Sequence, residues 1–158
     1  MKQMQNKPMA DPLPGPPVGA AAITRGVRRH LFALGIRTVT ELSLSNGRRA
    51  DIVALSSDGH IHIIEVKSSR ADYASDQKWP DYQPFCDAFS FAVDRDFPDD
   101  LVPGDVGLLI ADAYDAVVVR PPKPHPLPAA RRKAMVLRFA GAAADRLLRA
   151  EDPDVAGA

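Results

Sequence analysis

The stretch ADIVALSSDGHIHIIEVK, residues 50–67, constrains the fold more than any other part of the chain. Its two apolar runs are rich in β-branched residues and flank the turn sequence SSDG, so they predict a β-hairpin. Because side chains alternate along a strand, Ile63, Glu65 and Lys67 share one face. The second strand therefore ends in two charged residues, and the first begins near Asp51. This places charged groups at one end of an otherwise apolar hairpin.

Pairing of the two strands about SSDG predicts that Asp51 lies opposite Glu65, with Cβ atoms roughly 5 Å apart. Two carboxylates that close repel each other, and they stay ionised together only beside a cation. The residues leave two interpretations open. In one, Lys67 joins the carboxylates in a structural ion cluster; in the other, a divalent metal lies between them. Structural ion networks also bring opposed charges together, so the pattern alone does not decide.

A metal centre is consistent with the oxygen ligands in this stretch. Mg²⁺ usually takes one or two carboxylates and completes an octahedron with water, backbone carbonyls and substrate phosphate. The protein's share would be Asp51, Glu65 and the carbonyl of Val66, with Mg²⁺ or Mn²⁺ as the cofactor. Lys67 would then position or help to deprotonate the water that attacks phosphorus. The chemistry that follows is metal-assisted hydrolysis of a phosphodiester bond.

The remaining patterns predict an α/β domain of alternating helices and strands. Apolar residues recur at helical spacing from Ile23, and Gly35 marks the end of that helix. Alternating or β-branched runs between turn residues predict the strands. The predicted order is a helix at 23–34, strands at 38–44, 50–55 and 60–67, a helix from Ser68 or Ser69, a strand at 89–94, a hairpin of 106–112 and 116–121, and a helix from Ala129.

Length and composition predict one domain of ordinary size. The chain has 158 residues, of which 46% are hydrophobic and 25% charged, as in folded soluble proteins. The proline-rich residues 1–20 predict a disordered tail, 21–150 a single domain, and 151–158 a frayed C-terminus. No apolar run reaches the roughly 20 residues of a membrane helix, and no signal peptide is evident. We therefore expect a cytoplasmic protein without a membrane partner.

The charges are sorted along the chain although the formal net charge is zero. Residues 22–50 carry a net charge of +5 and residues 120–151 one of +6, whereas residues 72–115 carry −9. Basic segments of this kind either solubilise helix faces or form a nucleic-acid surface. If they bind DNA, the candidate residues are Arg28, Arg29, Arg48, Arg49, Lys78, Arg131, Arg132 and Lys133.

The residues in RRADIVAL and IIEVKSS carry a family resemblance. Their Asp…Glu-x-Lys pattern, filled by Asp51, Glu65 and Lys67, resembles the signature of the PD-(D/E)XK nuclease superfamily. The segments ELSLSNGRRADIVAL, IEVKSSRADYASDQKWPDYQPFCDAFSFAVD and DVGLLIADAYDA are similar to the MmcB-type DNA repair proteins of bacteria. These longer segments are more specific than the three-residue pattern.

The resemblance implies an α/β fold with a restriction-endonuclease-like core, in which helices flank a central mixed β-sheet in the order α-β-β-β-α-β, with a C-terminal hairpin and helix added. It implies that Asp51, Glu65 and Lys67 form the catalytic triad of a metal-dependent endodeoxyribonuclease that acts in repair. Many members of the superfamily add an acid from the first helix, which has none here. Glu41 on the first strand is the candidate for a fourth catalytic residue; the alternative is that it pairs with Arg48 or Arg49 on the surface.

In a second hypothesis, the chain has the nuclease fold but little or no catalytic turnover. In that case the chain is a DNA-binding or adaptor module. Both hypotheses take DNA as the partner, and both leave room for a homodimer or a repair-protein partner. They differ in one property, which is metal-dependent cleavage.

Overall fold

A six-stranded sheet forms the centre of the protein, and its strands are ordered β1 to β6 as in the chain. The structure is a computed structural model and describes residues 15, 17–75 and 77–157. The helices and strands are α1 (Gly19–Ala33), β1 (Arg37–Ser43), β2 (Arg49–Leu55), β3 (Ile61–Lys67), α2 (Arg70–Ser75), β4 (Ala88–Val93), β5 (Gly107–Ala111), β6 (Ala116–Arg120) and α3 (Ala129–Glu151). Short 3₁₀-helices span Trp79–Phe85, Asp99–Leu101 and Pro153–Gly157.

The sheet is mixed, as predicted. Strands β1, β2 and β3 form an antiparallel meander, β3, β4 and β5 are parallel, and β6 returns antiparallel to β5. In the β2–β3 hairpin Ile52 lies opposite Ile64, which is the predicted pairing. Every residue of β4 is buried, because this strand lies inside the sheet and is covered on both faces.

The two faces of the sheet support separate cores. On one face, Val27 and other apolar residues of α1 pack against Ile64 and Val66 of β3. On the other face, Ile63 packs with a cluster that includes Tyr82 of the 3₁₀-helix Trp79–Phe85 and Phe139 of α3. Residues 63 and 65 share a face, so Glu65 and Lys67 lie on the side that α3 and this 3₁₀-helix cover.

Helix α1 packs tightly against the turn between β5 and β6. A Cβ atom added at Gly26 would lie 1.9 Å from the carbonyl oxygen of Asp112, so only glycine allows this approach. Arg25 donates a hydrogen bond to the carbonyl of Ala113 in the same turn. The predicted first helix is therefore confirmed and anchored at that end of the sheet.

The boundaries of the predicted elements differ little from the observed ones, except at the termini. Most of the predicted tail, residues 1–14 and 16, lies outside the described residues, and α1 begins at Gly19, before the predicted end of that tail. At the other terminus α3 continues to Glu151, and the 3₁₀-helix Pro153–Gly157 follows it. Within the described ranges, no helix has the length and apolar character needed to cross a membrane.

Candidate functional site

Two carboxylates take over the hydrogen bonding where the β2–β3 ladder stops. The backbone pairing ends at Ile52 and Ile64. Beyond it, the backbone N–H of Asp51 donates to Oε1 of Glu65 at 2.9 Å, and the backbone N–H of Val66 donates to Oδ2 of Asp51 at 2.8 Å. Each carboxylate thus binds the backbone of the opposite strand, which fixes both side chains at the end of the hairpin.

Burial and mutual repulsion make the two carboxylates hard to ionise together. Glu65 is only 3% exposed. Burial, followed by the charge of Asp51, raises the pKa of Glu65 to about 8. The pKa of Asp51 is also raised, first by burial and then by the charges of Glu41 and Asp72, against the Val66 N–H and Lys67, which lower it. Both groups can therefore be ionised together only with additional positive charge beside them.

Lys67 supplies part of that charge. Its side chain is buried and its Nζ lies 3.9 Å from Oδ1 of Asp72. The ammonium group also lowers the pKa of both Asp51 and Glu65. Lys67 is thus shared among three carboxylates, which fits both the ion-cluster and the catalytic interpretation of this residue.

Asp72 is a site residue that sequence reasoning missed. It lies in the first turn of α2, where its backbone N–H bonds Oγ of Ser69 and its carboxylate accepts the N–H of Ser68. The sequence signal was present in SSRAD, since Ser followed three residues later by an acid resembles a capping box. The cap turns this carboxylate toward the end of β3, where it meets Lys67.

Glu41 has an unusual backbone for a residue within a strand. Its φ is +50°, a region that non-glycine residues rarely adopt. The β1–β2 pairing continues on both sides of it, at Thr40 and at Leu42, so the distortion is local. Its carboxylate pairs with Arg49, which is the surface alternative, and its charge also raises the pKa of Asp51. A catalytic role for Glu41 stays a prediction.

Tyr82 reaches the site from the 3₁₀-helix Trp79–Phe85. The sequence left the role of this residue, like that of Lys78, undecided. Its side chain is buried, its hydroxyl oxygen lies 3.2 Å from the carbonyl oxygen of Arg49, and a side-chain hydrogen bond with Tyr82 lowers the pKa of Glu65. Tyr82 therefore links the 3₁₀-helix to the carboxylate pair.

The side chains at this site that could hold a divalent metal are those of Asp51 and Glu65. Within residues 15, 17–75 and 77–157, no three His, Cys, Asp or Glu side chains converge as a metal cluster. Two carboxylates are nevertheless the share that a protein usually gives to Mg²⁺. Asp51 and Glu65 meet this requirement because they are adjacent, oxygen-bearing and short of positive charge. The Val66 carbonyl as a third ligand stays a prediction.

The predicted DNA-binding residues occupy several parts of the molecule. Arg28 and Arg29 belong to α1, on the face opposite the carboxylates, and bond Thr38 and Tyr114. Near the site, Arg49 pairs with Glu41, and Arg48 binds Asp81 through two N–H groups, at 3.0 and 2.8 Å. Only part of this set can contact the same DNA segment as the carboxylates.

The three basic residues at 131–133 also differ in their contacts. Two N–H groups of Arg132 bind the two oxygens of Asp87, each at 2.6 Å. Asp87 is buried and accepts the N–H groups of Ile61 and Leu127 as well. Burial by itself would raise the pKa of Asp87, but these hydrogen bonds lower it to about 2. Arg132 thus holds α3 on the sheet, whereas Arg131 and Lys133 are exposed.

Comparison with known proteins finds a matching family and a solved structure of similar fold. A family profile described as DNA repair protein MmcB-like matches residues 7–154. No curated protein matches the chain. A solved structure, the SPO1766 protein of unknown function from Silicibacter pomeroyi, is 45% identical with a TM-score of 0.84. The match covers 87% of this chain and 94% of that chain.

Proposed function

Because the chain belongs to the MmcB-like family of DNA repair proteins, we propose that it is a metal-dependent deoxyribonuclease that hydrolyses phosphodiester bonds in DNA. The family supports DNA repair and DNA as the partner. The observation that carries the nuclease proposal is the pair of buried carboxylates, Asp51 and Glu65, held beside Lys67 at the end of β3. The resemblance of these residues to the PD-(D/E)XK pattern supports the same chemistry.

Asp51 and Glu65 would hold the Mg²⁺ or Mn²⁺ ion as ionised carboxylates, with the carbonyl of Val66 as a further ligand. When bound, the ion would offset charge on the phosphate and make a coordinated water more acidic. The raised pKa of Glu65 means that ion binding competes with a proton. Activity should therefore increase with pH up to about 8.

Lys67 carries the protein's own contribution to the attack on phosphorus. The ammonium group is buried, lies 3.9 Å from Oδ1 of Asp72 and acts on the charges of Asp51 and Glu65. Its positive charge would help to orient the attacking water and stabilise negative charge on the phosphate oxygens. Asp72 acts through Lys67 and is therefore a positioning residue.

Cleavage assays on flapped, nicked, junction and single-stranded DNA, with Mg²⁺, Mn²⁺ or EDTA, test this function. Asp51→Asn removes a ligand at almost constant volume, so cleavage should fall by a factor on the order of 10² or more while DNA binding persists. Asp145→Asn, an exposed acid on α3, is the matched control and should cleave like the wild type.

Wild-type protein that binds these DNAs but cleaves none of them, with any of the ions, would contradict the nuclease proposal. That result would favour a DNA-binding or adaptor module. The predicted DNA-binding arginines would then serve binding alone, and the buried carboxylates would form a structural ion cluster with Lys67.

A further inference from the structure

A cavity of about 450 Å³ lies between α3, the 3₁₀-helix Trp79–Phe85 and the β1–β2 turn. This volume falls within the range of roughly 300–1,000 Å³ that is usual for ligand pockets. The residues that matter for its chemistry are Ser45, Phe85, Arg131, Ala134, Met135 and Arg138. The nuclease chemistry described above uses none of them.

Two guanidinium groups give the cavity a positive rim. Arg131 donates one hydrogen bond to the carbonyl of Pro84, and Arg138 donates one to the carbonyl of Ser43, both at 3.0 Å. A guanidinium carries five N–H donors, so each arginine can still bind an anion. No acid lines this cavity, whereas four other cavities in the described part of the chain each include at least one aspartate. The charge therefore matches a phosphate.

The wall of the cavity is apolar and partly aromatic. Phe85 is half-buried, and the Arg131 guanidinium lies 5.9 Å from the centre of its ring. Met135 and Ala134 extend the apolar surface along α3. Aromatic rings and guanidinium planes are the groups on which proteins stack unpaired bases. A ligand with a flat ring and a phosphate fits both parts of the cavity.

The 3₁₀-helix Trp79–Phe85 contributes residues both to the cavity and to the carboxylate pair. Phe85 follows Tyr82 by one turn of the same 3₁₀-helix, about 6 Å along its axis. Tyr82 in turn bonds Glu65. A DNA strand with one nucleotide at Phe85 would thus pass near Asp51 and Glu65.

We propose that this cavity binds one unpaired nucleotide of the DNA substrate, with the base against Phe85 and Met135 and the phosphate between Arg131 and Arg138. The inference rests on the proposed function and adds a substrate class to it, namely DNA with an unpaired strand such as a flap or a gap. Fully paired duplex has no free base to place there and should bind more weakly.

Binding measured by fluorescence anisotropy in EDTA separates recognition from cleavage. The probes are a duplex with a short single-stranded flap, the same duplex with an abasic flap, and a blunt duplex. Wild-type protein should prefer the flap over the abasic flap by roughly tenfold, the range expected for stacking of one base. Ala134→Phe, which fills the cavity, should remove this preference and leave the affinity for blunt duplex within about twofold.

Arg131→Gln with Arg138→Gln tests the phosphate contact, and Arg149→Gln is the matched control, since it is an exposed basic residue of α3 outside the cavity. The double variant should lose roughly tenfold in flap affinity, and the control should change little. Thermal melts of each variant check that the fold is retained.

Flap binding that Ala134→Phe and the double variant leave unchanged would overturn the cavity proposal, while Mn²⁺-dependent cleavage would still support the nuclease. Equal binding of the abasic flap by wild type would also overturn it. A flap preference without any cleavage supports the cavity and contradicts the nuclease proposal alone. No DNA binding by wild type overturns both.

Discussion

Glu65 is placed where its charge costs folding free energy. Its pKa is about 8 in the folded protein and 4.5 as the ordinary value, because burial and Asp51 oppose its ionisation. Between those pH values the unfolded chain has lost a proton that the folded chain keeps. The free energy of unfolding contributed by this residue therefore decreases as the pH rises from about 4.5 to about 8.

Glu65→Gln should for that reason stabilise the metal-free protein at pH 8, by an amount on the order of a few kcal/mol, and should have little effect near pH 5. The same change should abolish metal-dependent cleavage, because an amide is a poor ligand for Mg²⁺. Urea titrations in EDTA at the two pH values measure the first effect. A variant that is less stable than wild type at pH 8 would mean that the ionised carboxylate stabilises the fold.

Glu41 combines a charge near the site with a strained backbone. A non-glycine residue at a φ of +50° costs roughly 1–2 kcal/mol relative to glycine. Its ion pair with Arg49 is exposed to solvent and contributes little in return. Strain of this kind tends to collect at functional positions.

Glu41→Gly should relieve the strain, whereas Glu41→Gln keeps the strain and removes only the charge. We expect Glu41→Gly to be more stable than Glu41→Gln by about 1 kcal/mol in denaturant melts. If Glu41 is the fourth catalytic acid, both variants should cleave DNA more slowly by a similar factor. Equal stability of the two variants would show that the chain relaxes at this position without cost.

The elements were predictable where the pattern is local. Strands β2 and β3 alternate, their turn is short, and the register that brings Asp51 to Glu65 follows from them. The contacts that hold elements together were not predictable, because their partners are distant in sequence. Arg132 reads as one of three basic residues in a helix, and only the fold reveals that Asp87, 45 residues away, is its partner. The positive φ of Glu41 has no sequence signal, since glycine is the residue that marks such positions.

Asp87 joins three elements: the start of β3 through Ile61, the segment before α3 through Leu127, and α3 itself through Arg132. Asp87→Asn should lower the free energy of unfolding by roughly 1–3 kcal/mol, because an amide cannot accept all the N–H groups that the buried carboxylate accepts. A double variant, Asp87→Asn with Arg132→Met, should lose less than the sum of the two single variants. Additive losses in a double-mutant cycle would mean that the pair is not coupled.

At the scale of the whole molecule, titratable groups change the free energy of unfolding in opposite directions as the pH rises. Burial, with repulsion from His60, lowers the pKa of His62 to about 4, so the free energy of unfolding falls as the pH drops from 6.5 to 4. Asp87, with its lowered pKa, contributes stability that is lost as the pH falls from about 4 to about 2. Glu65 acts in the opposite direction, and its destabilising effect develops as the pH rises toward 8.

These contributions predict that the metal-free protein is most stable between about pH 4.5 and 6.5, and that its stability declines toward pH 8. Mn²⁺ should reverse the decline above pH 6.5, because an ion bound by the ionised pair stabilises the folded state. Thermal melts across this pH range, with and without Mn²⁺, measure the effect. Asp51→Asn, which removes a ligand, should show no Mn²⁺-dependent gain.

At the end of the β2–β3 hairpin, hydrogen bonds connect two backbone amide groups directly to the two carboxylates of the site. The amide groups of Asp51 and Val66 donate to the carboxylates rather than to the neighbouring strand. Their hydrogen-bond strength must change when either carboxylate gains a proton or a cation. In an NMR spectrum these two amide resonances would therefore report what the carboxylates hold, before any DNA is cut.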